Sequence, residues 1–540
     1  MADQNENTEP VTSIKSQYSG KKAIVGTVFI TVRSYIFTFI GLFISVYAST
    51  LLTAEEIGTY NLCYQIVLFL YLFIIFGTVH TTQKYVPLFD ARGENRKTAG
   101  FVHFIAFFTS IFAFSLFGIV LVFKGQLSLF FFSNLQHEKY VMYVAILLLF
   151  GPSEVISQFF ISRYEFKRFF LPNTITDIFG LVLKVLMLVF LRSIDAYFLT
   201  FIITEAMRFT ILVIAMLTTF KNPDYSFSKQ EIIKYMLPMF VGNILTFLEL
   251  QVANFLFYFL FRDLELFGVL SFINFVVQLV LNIFNSWHTV LVSWYAPIIH
   301  GENNKERYYE ITKKISKIFQ FLTVNIGLIF MLVGPLYILV IVRLFEIDQL
   351  YLQGAFCLLA YGIQFMLTMF YYMSPTVINL EEKSFPILMI HVKASVLYLS
   401  AYFVLIPLLG LAGIPLGYAL GNVYFYILCK RLIKKHSFRV GFAKESCKKI
   451  LVAVVPAIVI IMIAFVCDII FPQTSPLNLV FFEIQFPVTA FCITMALGLV
   501  MILAIVLILK RLRFFTSDDK EMLSQLLGKR IFKYVAKIIF

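Results

Sequence analysis

The sequence predicts an all-α polytopic membrane protein of about 14 transmembrane helices, with two pseudo-symmetric six-helix lobes and two further C-terminal helices. Hydrophobic residues make up 60% of the 540 residues and charged residues 14%, whereas a soluble domain carries about 25% charged residues. The apolar residues come in runs of about 20, the length that crosses a bilayer, and part of the chain recurs 210 positions later. Together these observations exclude a soluble globular protein.

The apolar runs define the predicted elements in order. Residues 1–22 are a polar cytoplasmic tail without the pattern of a cleaved signal peptide, so the first run is expected to stay in the membrane. The predicted spans are 23–48, 57–79, 99–123, 140–162, 171–191, 195–220, 235–258, 266–289, 318–342, 352–375, 386–408, 412–429, 450–471 and 484–509. The first six spans form an N-lobe (23–220), the next six a C-lobe (235–429), and two more follow (450–509).

A duplicated segment supports the two lobes. Each copy reads E-x-x-G, then a hydrophobic span, then Y-x-P. The anchors are Glu55, Gly58, Tyr85 and Pro87 in the first copy, and Glu265, Gly268, Tyr295 and Pro297 in the second. One offset shared by four anchors indicates a duplicated structural unit. Because six spans separate the copies, both enter the membrane in the same direction, an arrangement that many transporters place around a central path.

Lysine and arginine predict the orientation, because cytoplasmic loops are enriched in them. With the N-terminus in the cytoplasm, 35 of the 44 lie in inward segments, five in outward loops and four inside spans. Both termini of this multi-pass protein are therefore expected on the cytoplasmic side of the cytoplasmic membrane. The net charge of +13 follows from this topology and from contact with anionic lipid heads, and it is no evidence for nucleic-acid binding.

Two cytoplasmic segments are predicted to lie on the membrane surface. Residues 516–540 place leucines and isoleucines at helical spacing among lysines, the pattern of an amphipathic interfacial helix. The segment 304–317 is expected to do the same between the lobes. Within span twelve, Gly413, Gly417 and Gly421 form two successive G-x-x-x-G steps, which favour close helix packing.

No pattern for catalysis, a metal or a cofactor is visible in the sequence. There is no G-x-x-x-x-G-K-[ST] string, no C-x-x-C among the six cysteines, and no H-E-x-x-H among the seven histidines. The outward loops are too short to hold an outer catalytic domain. The sequence therefore predicts a protein that is not an enzyme and needs no cofactor.

Two segments resemble a known family. Leu51–Asn61 (LLTAEEIGTYN) with Gly77 and Lys84–Pro87 (KYVP), and Ile406–Gly413 (IPLLGLAG), resemble the polysaccharide-transport flippases of the multidrug/oligosaccharidyl-lipid/polysaccharide exporter superfamily. The resemblance implies flipping of a polyprenyl-phosphate-type lipid-linked oligosaccharide across the cytoplasmic membrane, by alternating access, for cell-envelope polysaccharide biosynthesis. The implied partners are that substrate, membrane lipids, and a glycan polymerase or glycosyltransferases of the same pathway.

Charged residues inside spans are the first candidate substrate contacts, because each costs about 2.5–3.5 kcal/mol at a helix centre and usually faces a cavity or a partner. Arg33 and Lys184 are predicted to bind an anionic head group, since a diphosphate needs cations where water is scarce. These cations have no equal number of acids nearby in the sequence, although Lys184 shares a helix face with Asp177. Arg208 is a third candidate, and Glu205, three residues earlier, is placed to neutralise it.

Carboxamides on one face of span eight are the second set of candidates. Asn274, Gln278, Asn282 and Asn285 follow one another at steps of four, four and three, which is one helical face. Because amides both donate and accept hydrogen bonds, the stripe is predicted to face the lumen and hold sugar hydroxyls. Hydrogen bonding between helices is the alternative.

Two other functions stay open. A multidrug or cation antiporter of the same superfamily would use a protonatable acid deep in a lobe, and Glu249 and Glu205 are placed for this. A scaffold for a glycan-synthesis complex is the third possibility. The mid-span charges are cationic on balance, which favours an anionic substrate, while Lys393 lies near the inner end of its span and is expected to reach the membrane surface.

Overall fold

The computed structural model describes residues 20–163, 165–278, 281, 305–368, 384–435, 507, 510 and 511. These residues are helical, with short 3-10 turns and no strand among them, which confirms the predicted all-α class. Eight of the described helices are long and apolar enough to cross a membrane. The predicted span 450–471, the span 484–509 apart from residue 507, the tail helix 516–540 and residues 1–19 lie outside the described residues.

The first half of the chain, residues 20–220, contains the helices of the predicted N-lobe. They are α1 (Gly20–Ser49), α2 (Ala54–Ile75), α3 (Thr78–Ala91), α4 (Asn95–Val122), α5 (Lys124–Phe132), α6 (Glu138–Leu148), α7 (Pro152–Ser162), α8 (Phe166–Leu191) and α9 (Asp195–Thr219). Two predicted spans are broken helices. The second breaks where Phe76 and Gly77 both adopt positive φ, and the fourth breaks before Pro152, which cannot donate a helical hydrogen bond.

The second half, residues 229–435, contains the helices of the predicted C-lobe. They are α10 (Lys229–Leu250), α11 (Val252–Phe261), α12 (Leu264–Gln278), α13 (Lys305–Leu344), α14 (Gly354–Thr368), α15 (Ser384–Leu409) and α16 (Gly413–Lys435). The segment 305–317, expected as a separate surface helix, instead continues into span nine as part of the 40-residue α13. The polar segment and the apolar run of span nine therefore form one continuous helix.

The duplicated glycines lie against each other where α2 and α12 cross. A Cβ on Gly58 would overlap the carbonyl oxygen of Leu264 and stand 3.0 Å from the backbone nitrogen of Gly268. A Cβ on Gly268 would overlap the carbonyl oxygen of Ala54 and stand 3.2 Å from the nitrogen of Gly58. The contact is reciprocal, as expected when two copies of one unit meet at a pseudo-two-fold axis.

The start of α2 is fixed by a capping box in the segment that carries the family resemblance. The Thr53 hydroxyl accepts the backbone N–H of Glu56 at 3.2 Å, and the Glu56 carboxylate accepts the backbone N–H of Thr53 at 3.0 Å. This reciprocal pair satisfies two donors that a helix start leaves open. The capping box thus fixes the start of α2 one helical turn before Gly58.

Two further contacts join the halves. At the α2–α3 break, the Phe76 ring stacks on Phe240 of α10 with ring centroids 4.4 Å apart. At the last turn of α5, Arg262 donates from Nη1 to the carbonyl oxygen of Phe130 at 2.9 Å, and the Tyr258 hydroxyl donates to the carbonyl of Phe131. The second half therefore caps the C-terminus of a first-half helix, whose final carbonyls lack helical partners.

The glycines of span twelve confirm the packing prediction. A Cβ on Gly417 would meet the Tyr402 ring at 2.6 Å, and one on Gly421 would meet the Tyr398 ring even more closely. The Tyr398 hydroxyl donates to Asn422 Oδ1 at 2.7 Å. The small residues of α16 thus admit two tyrosines of α15, which lie fully buried in the second half.

Candidate functional site

A cluster of four charged side chains connects α1, α8 and α9 in the first half. The carboxylate of Asp177 accepts from Arg33 Nη2 at one oxygen and from Arg208 Nη2, at 2.8 Å, at the other. Arg208 also donates from Nη1 to Glu205 Oε1 at 2.6 Å. We call Arg33, Asp177, Glu205 and Arg208 the charge cluster; Asp177 bridges its two guanidinium groups.

The local packing explains why the cluster forms. Glu205 and Arg208 are three residues apart on α9 and therefore face the same way. Gly180 lets α8 approach α9, because a Cβ there would stand 2.8 Å from the Thr204 hydroxyl. The side chains of Arg33 and Asp177 are 15% and 18% exposed, so the cluster is partly accessible rather than sealed.

The structure corrects one premise of the sequence analysis. Arg33 was expected to lack an acid nearby, yet it is paired with Asp177 of α8. Arg208 forms the expected pair with Glu205 and a second one with Asp177. Arg33 keeps one unused donor: its buried Nε has no hydrogen-bond partner among the described residues.

Lys184 lies two helical turns further along α8, outside the charge cluster. Its Nζ sits 3.7 Å from the ring centroid of Tyr197 and 5.9 Å from that of Tyr60. Within the described residues Lys184 forms no ion pair, and its shared face with Asp177 does not bring the two side chains together. Its ammonium is stabilised by tyrosine ring faces, which attract cations.

The structure adds Glu154 of α7, which the sequence analysis missed. Its side chain is exposed although it lies within a predicted span, and it interacts electrostatically with Arg208 and Glu205. Among the described residues it forms no ion pair. An acid inside span four, directly after Gly151-Pro152 and Ser153, was the signal that could have identified it.

We call the four carboxamides of span eight (Asn274, Gln278, Asn282 and Asn285) the amide stripe, and those that the structure describes lie in different environments. Asn274 Oδ1 accepts a hydrogen bond from the Tyr361 hydroxyl of α14 at 3.0 Å, so the inter-helix alternative describes this residue. Gln278 is exposed. Asn282 and Asn285 lie outside the described residues, and the predicted lumen-facing role of these three stays a prediction.

A second polar cluster joins α10 to α15 in the second half. Glu249 is 4% exposed, and its Oε1 lies 2.9 Å from His391 Nδ1 and 3.3 Å from Ser395 Oγ. The Tyr402 hydroxyl donates to the backbone carbonyl of Glu249 at 2.7 Å. Sequence analysis singled out Glu249 but missed His391, because the two residues are 142 positions apart.

Two further expectations of the sequence analysis concern Lys393 and metal binding. Lys393 is exposed on α15, and its reach to the membrane surface stays a prediction. Groups of three or more histidine, cysteine, aspartate or glutamate residues placed to hold a metal ion are absent from the described part of the chain.

Comparison with known proteins establishes the fold. No known protein family matches the sequence, and no curated protein matches it. Among solved structures, the lipid II flippase MurJ in an inward closed conformation matches with a TM-score of 0.64 at 14% identity, covering 90% of this chain and 99% of its own.

Multidrug transporters are similar as well. An inward-facing MATE-family transporter of the MOP superfamily matches with a TM-score of 0.61 at 13% identity, covering 77% of this chain and 98% of its own. A MOP-superfamily transporter from Pyrococcus furiosus, described as having a binding pocket of reverse polarity, matches at 0.58 and 15% identity, covering 77% of this chain and 95% of its own. The chain therefore has the fold of MOP-superfamily transporters.

Proposed function

We propose that this protein is a transporter that flips a lipid-linked oligosaccharide of the polyprenyl-phosphate type across the cytoplasmic membrane by alternating access. One observation favours a flippase over a multidrug transporter of the same superfamily. The lipid II flippase covers 90% of this chain and the MATE transporters 77%. The two coverages differ by 13% of the 540 residues, or about 70 residues. This is about the length of the two additional predicted spans, 450–471 and 484–509, with their loops.

The charge cluster supports an anionic substrate. Two guanidinium groups that share one carboxylate are already spaced for an anion with several oxygens, and arginine binds phosphate through two parallel hydrogen bonds. A diphosphate that replaces the Asp177 carboxylate would keep Arg33 and Arg208 paired. It would also reach the free Nε of Arg33.

Lys184 extends the cationic path toward the outer side. It lies seven residues after Asp177 on α8, which corresponds to about 10 Å of helix. In the proposed cycle the diphosphate moves from the charge cluster toward Lys184 while the glycan is held loosely by Gln278, Asn282 and Asn285. The lipid tail stays in the bilayer throughout.

The contacts between halves fit one state of such a cycle. In the proposed orientation the Gly58–Gly268 crossing and the Arg262 cap on α5 lie on the outer side of the membrane. Alternating access then requires the α5–α11 contact to separate when the path opens outward. The crossing glycines, where backbones touch, would serve as the pivot.

A leaflet assay tests the function directly. Cells lacking the protein should accumulate lipid-linked oligosaccharide in the inner leaflet, and re-expression should restore it to the outer leaflet. Lipid-linked oligosaccharides extracted after labelling with a membrane-impermeant reagent distinguish the two leaflets. An unchanged leaflet distribution in the deletion strain would refute the proposal.

A cation antiporter is the second candidate, because Glu154 is an exposed acid without an ion pair among the described residues. Such an antiporter would confer resistance to lipophilic cations and would lose it in Glu154→Gln. The flippase instead changes the leaflet distribution of lipid-linked glycan and leaves cation resistance unaltered. Measuring both in one deletion strain separates the two functions.

A further inference from the structure

Two side chains beside the charge cluster have no part in its ion pairs. Glu154 of α7 forms no ion pair among the described residues, and Tyr64 of α2 is 36% exposed. Both interact electrostatically with Arg208 and Glu205, and they also interact with each other. The carboxylate and the phenol ring therefore lie close together, next to one of the two arginines.

Tyr64 and Glu154 face an open space inside the protein. Their chain neighbours Cys63, Ser153 and Val155 are buried, whereas Tyr64 and Glu154 are exposed. Protein atoms nonetheless surround both side chains at longer range. A side chain that is accessible and yet enclosed by protein lines a cavity, so both are available to a ligand that enters the first half.

The local structure holds each of the two groups in place. Glu154 lies in the first turn of α7, which begins at Pro152, and the partial positive charge of a helix N-terminus stabilises a carboxylate there. The Tyr64 ring stacks on Tyr60, with ring centroids 6.5 Å apart, and tilts against Phe201 of α9 at 5.8 Å. The cavity thus presents a fixed acceptor and a fixed aromatic ring.

A carboxylate beside an accessible aromatic ring is suited to a sugar. An ionised carboxylate only accepts hydrogen bonds, and the hydroxyls of a sugar ring can donate two of them to it side by side. The C–H groups on the face of the same sugar ring are apolar, and a phenol ring offers them a large apolar surface. Glu154 and Tyr64 together match both features.

The position of these groups indicates which sugar of the substrate they meet. In the proposed function the diphosphate is bound by Arg33 and Arg208. The first sugar is bonded directly to that diphosphate, so it has to lie beside the arginines. Glu154 and Tyr64 are next to Arg208, where this sugar would be.

The charge of Glu154 restricts the chemistry of that sugar. Arg208 already pairs with Glu205 at 2.6 Å, so Glu154 has no cation of its own among the described residues. A sugar with a carboxylate would face this negative charge, and like charges placed together reject a ligand. A neutral sugar offers hydroxyl donors instead, and an amino sugar offers an ammonium.

We propose that Glu154 and Tyr64 form the subsite for the sugar attached to the diphosphate, and that this sugar is neutral or carries an amino group rather than a carboxylate. The inference rests on the proposed function and names the substrate class of the same site. Tyr64 packs on the face of the sugar, and Glu154 accepts hydrogen bonds from its edge. The remaining sugars extend toward the amide stripe.

Two matched probes test the subsite by binding. Glucose linked to farnesyl diphosphate and glucuronic acid linked to farnesyl diphosphate differ only at C6, which is a hydroxymethyl group in one and a carboxylate in the other. Microscale thermophoresis of the full-length protein in lipid nanodiscs gives the Kd of each, with sugar-free farnesyl diphosphate as the reference. The wild-type protein should bind the glucose probe at least about tenfold more tightly than the glucuronate probe.

Substitutions then assign the preference to the two side chains. Glu154→Gln should reduce the preference to less than about threefold, because the amide is uncharged, and should leave binding of the sugar-free diphosphate unchanged. Tyr64→Leu should weaken binding of the glucose probe about tenfold, whereas Tyr64→Phe keeps the ring and should bind it normally. Glu94→Gln is the matched control, since this acid pairs with Lys97 at the start of α4, and it should keep the wild-type preference.

Equal binding of the two sugar probes by the wild-type protein, or no binding of either, would overturn the proposal. This measurement needs no variant, so it also covers the case in which Glu154→Gln does not fold. A preference that persists in folded Glu154→Gln would overturn it as well. The leaflet assay separates the two levels: a normal leaflet phenotype with no sugar preference removes only this subsite, whereas an unchanged leaflet distribution in the deletion strain refutes the proposed function.

Discussion

The two halves of the chain bury polar side chains in contrasting ways. The first half pairs two arginines with two acids, and arginine stays charged at every physiological pH. The second half holds one acid, Glu249, through the imidazole of His391 and the hydroxyl of Ser395. The two halves thus carry two different polar sites. Permanent positive charge suits the recognition of an anion, whereas the second site holds its acid without a lysine or arginine among the described residues.

The largest expected effect concerns the crossing of α2 and α12, where Gly58 and Gly268 lie against each other. Gly58→Ala or Gly268→Ala should destabilise the protein by about 3 kcal/mol or more, since overpacking costs about 1–3 kcal/mol and here the obstacle is backbone. The melting temperature of purified protein in detergent measures this. Gly41→Ala is the matched control, because nothing lies within 4 Å of its Cβ position. Native melting temperatures for the two crossing variants would refute the reciprocal contact.

The charge cluster and the Glu249–His391 pair should differ in how they tolerate loss of the basic side chain. Arg208→Ala leaves Asp177 and Glu205 facing one remaining arginine, and breaking a buried pair costs about 3–5 kcal/mol, with the lower end expected for this partly exposed side chain. His391→Ala should cost less, about 1–3 kcal/mol, because Glu249 keeps the hydrogen bond from the Ser395 hydroxyl. Chemical or thermal unfolding of the two purified variants compares these losses. An equal loss of stability in both variants would contradict the distinction between the two sites.

The comparison also shows what a sequence can predict. Helix class and the Glu205–Arg208 pair follow from local periodicity, because both depend on residues a few positions apart. The bridge from Arg33 to Asp177 spans 144 positions, and its geometry depends on how α1 meets α8. The same holds for His391 and Glu249. Hydropathy likewise predicted span two as one helix, since its apolar run continues through the break at Phe76 and Gly77.

Assays of glycan export should distinguish a loss of substrate binding from a loss of protein stability in variants of the first half. Arg33→Ala and Lys184→Ala are expected to abolish glycan export at normal protein abundance, because each removes a cation from the proposed path. Arg33→Lys should keep partial activity, since lysine retains the charge but loses the two-pronged geometry. Lys393→Ala, at an exposed position, is the matched control and should export normally. Normal export by both alanine variants would make these side chains structural.

The smallest expected effect tests how the amide stripe is used. Tyr361→Phe removes the hydroxyl that donates to Asn274 Oδ1, and loss of one such hydrogen bond costs about 1 kcal/mol. We expect this loss in unfolding measurements with export unchanged, because the bond holds α12 against α14 and lies inside the second half. Gln278→Ala, four residues along the same face but exposed, should give the reverse pattern of native stability and reduced export. If Tyr361→Phe lowered export at native stability, Asn274 would belong to the path after all, and the boundary between packing and binding on α12 would move by one helical turn.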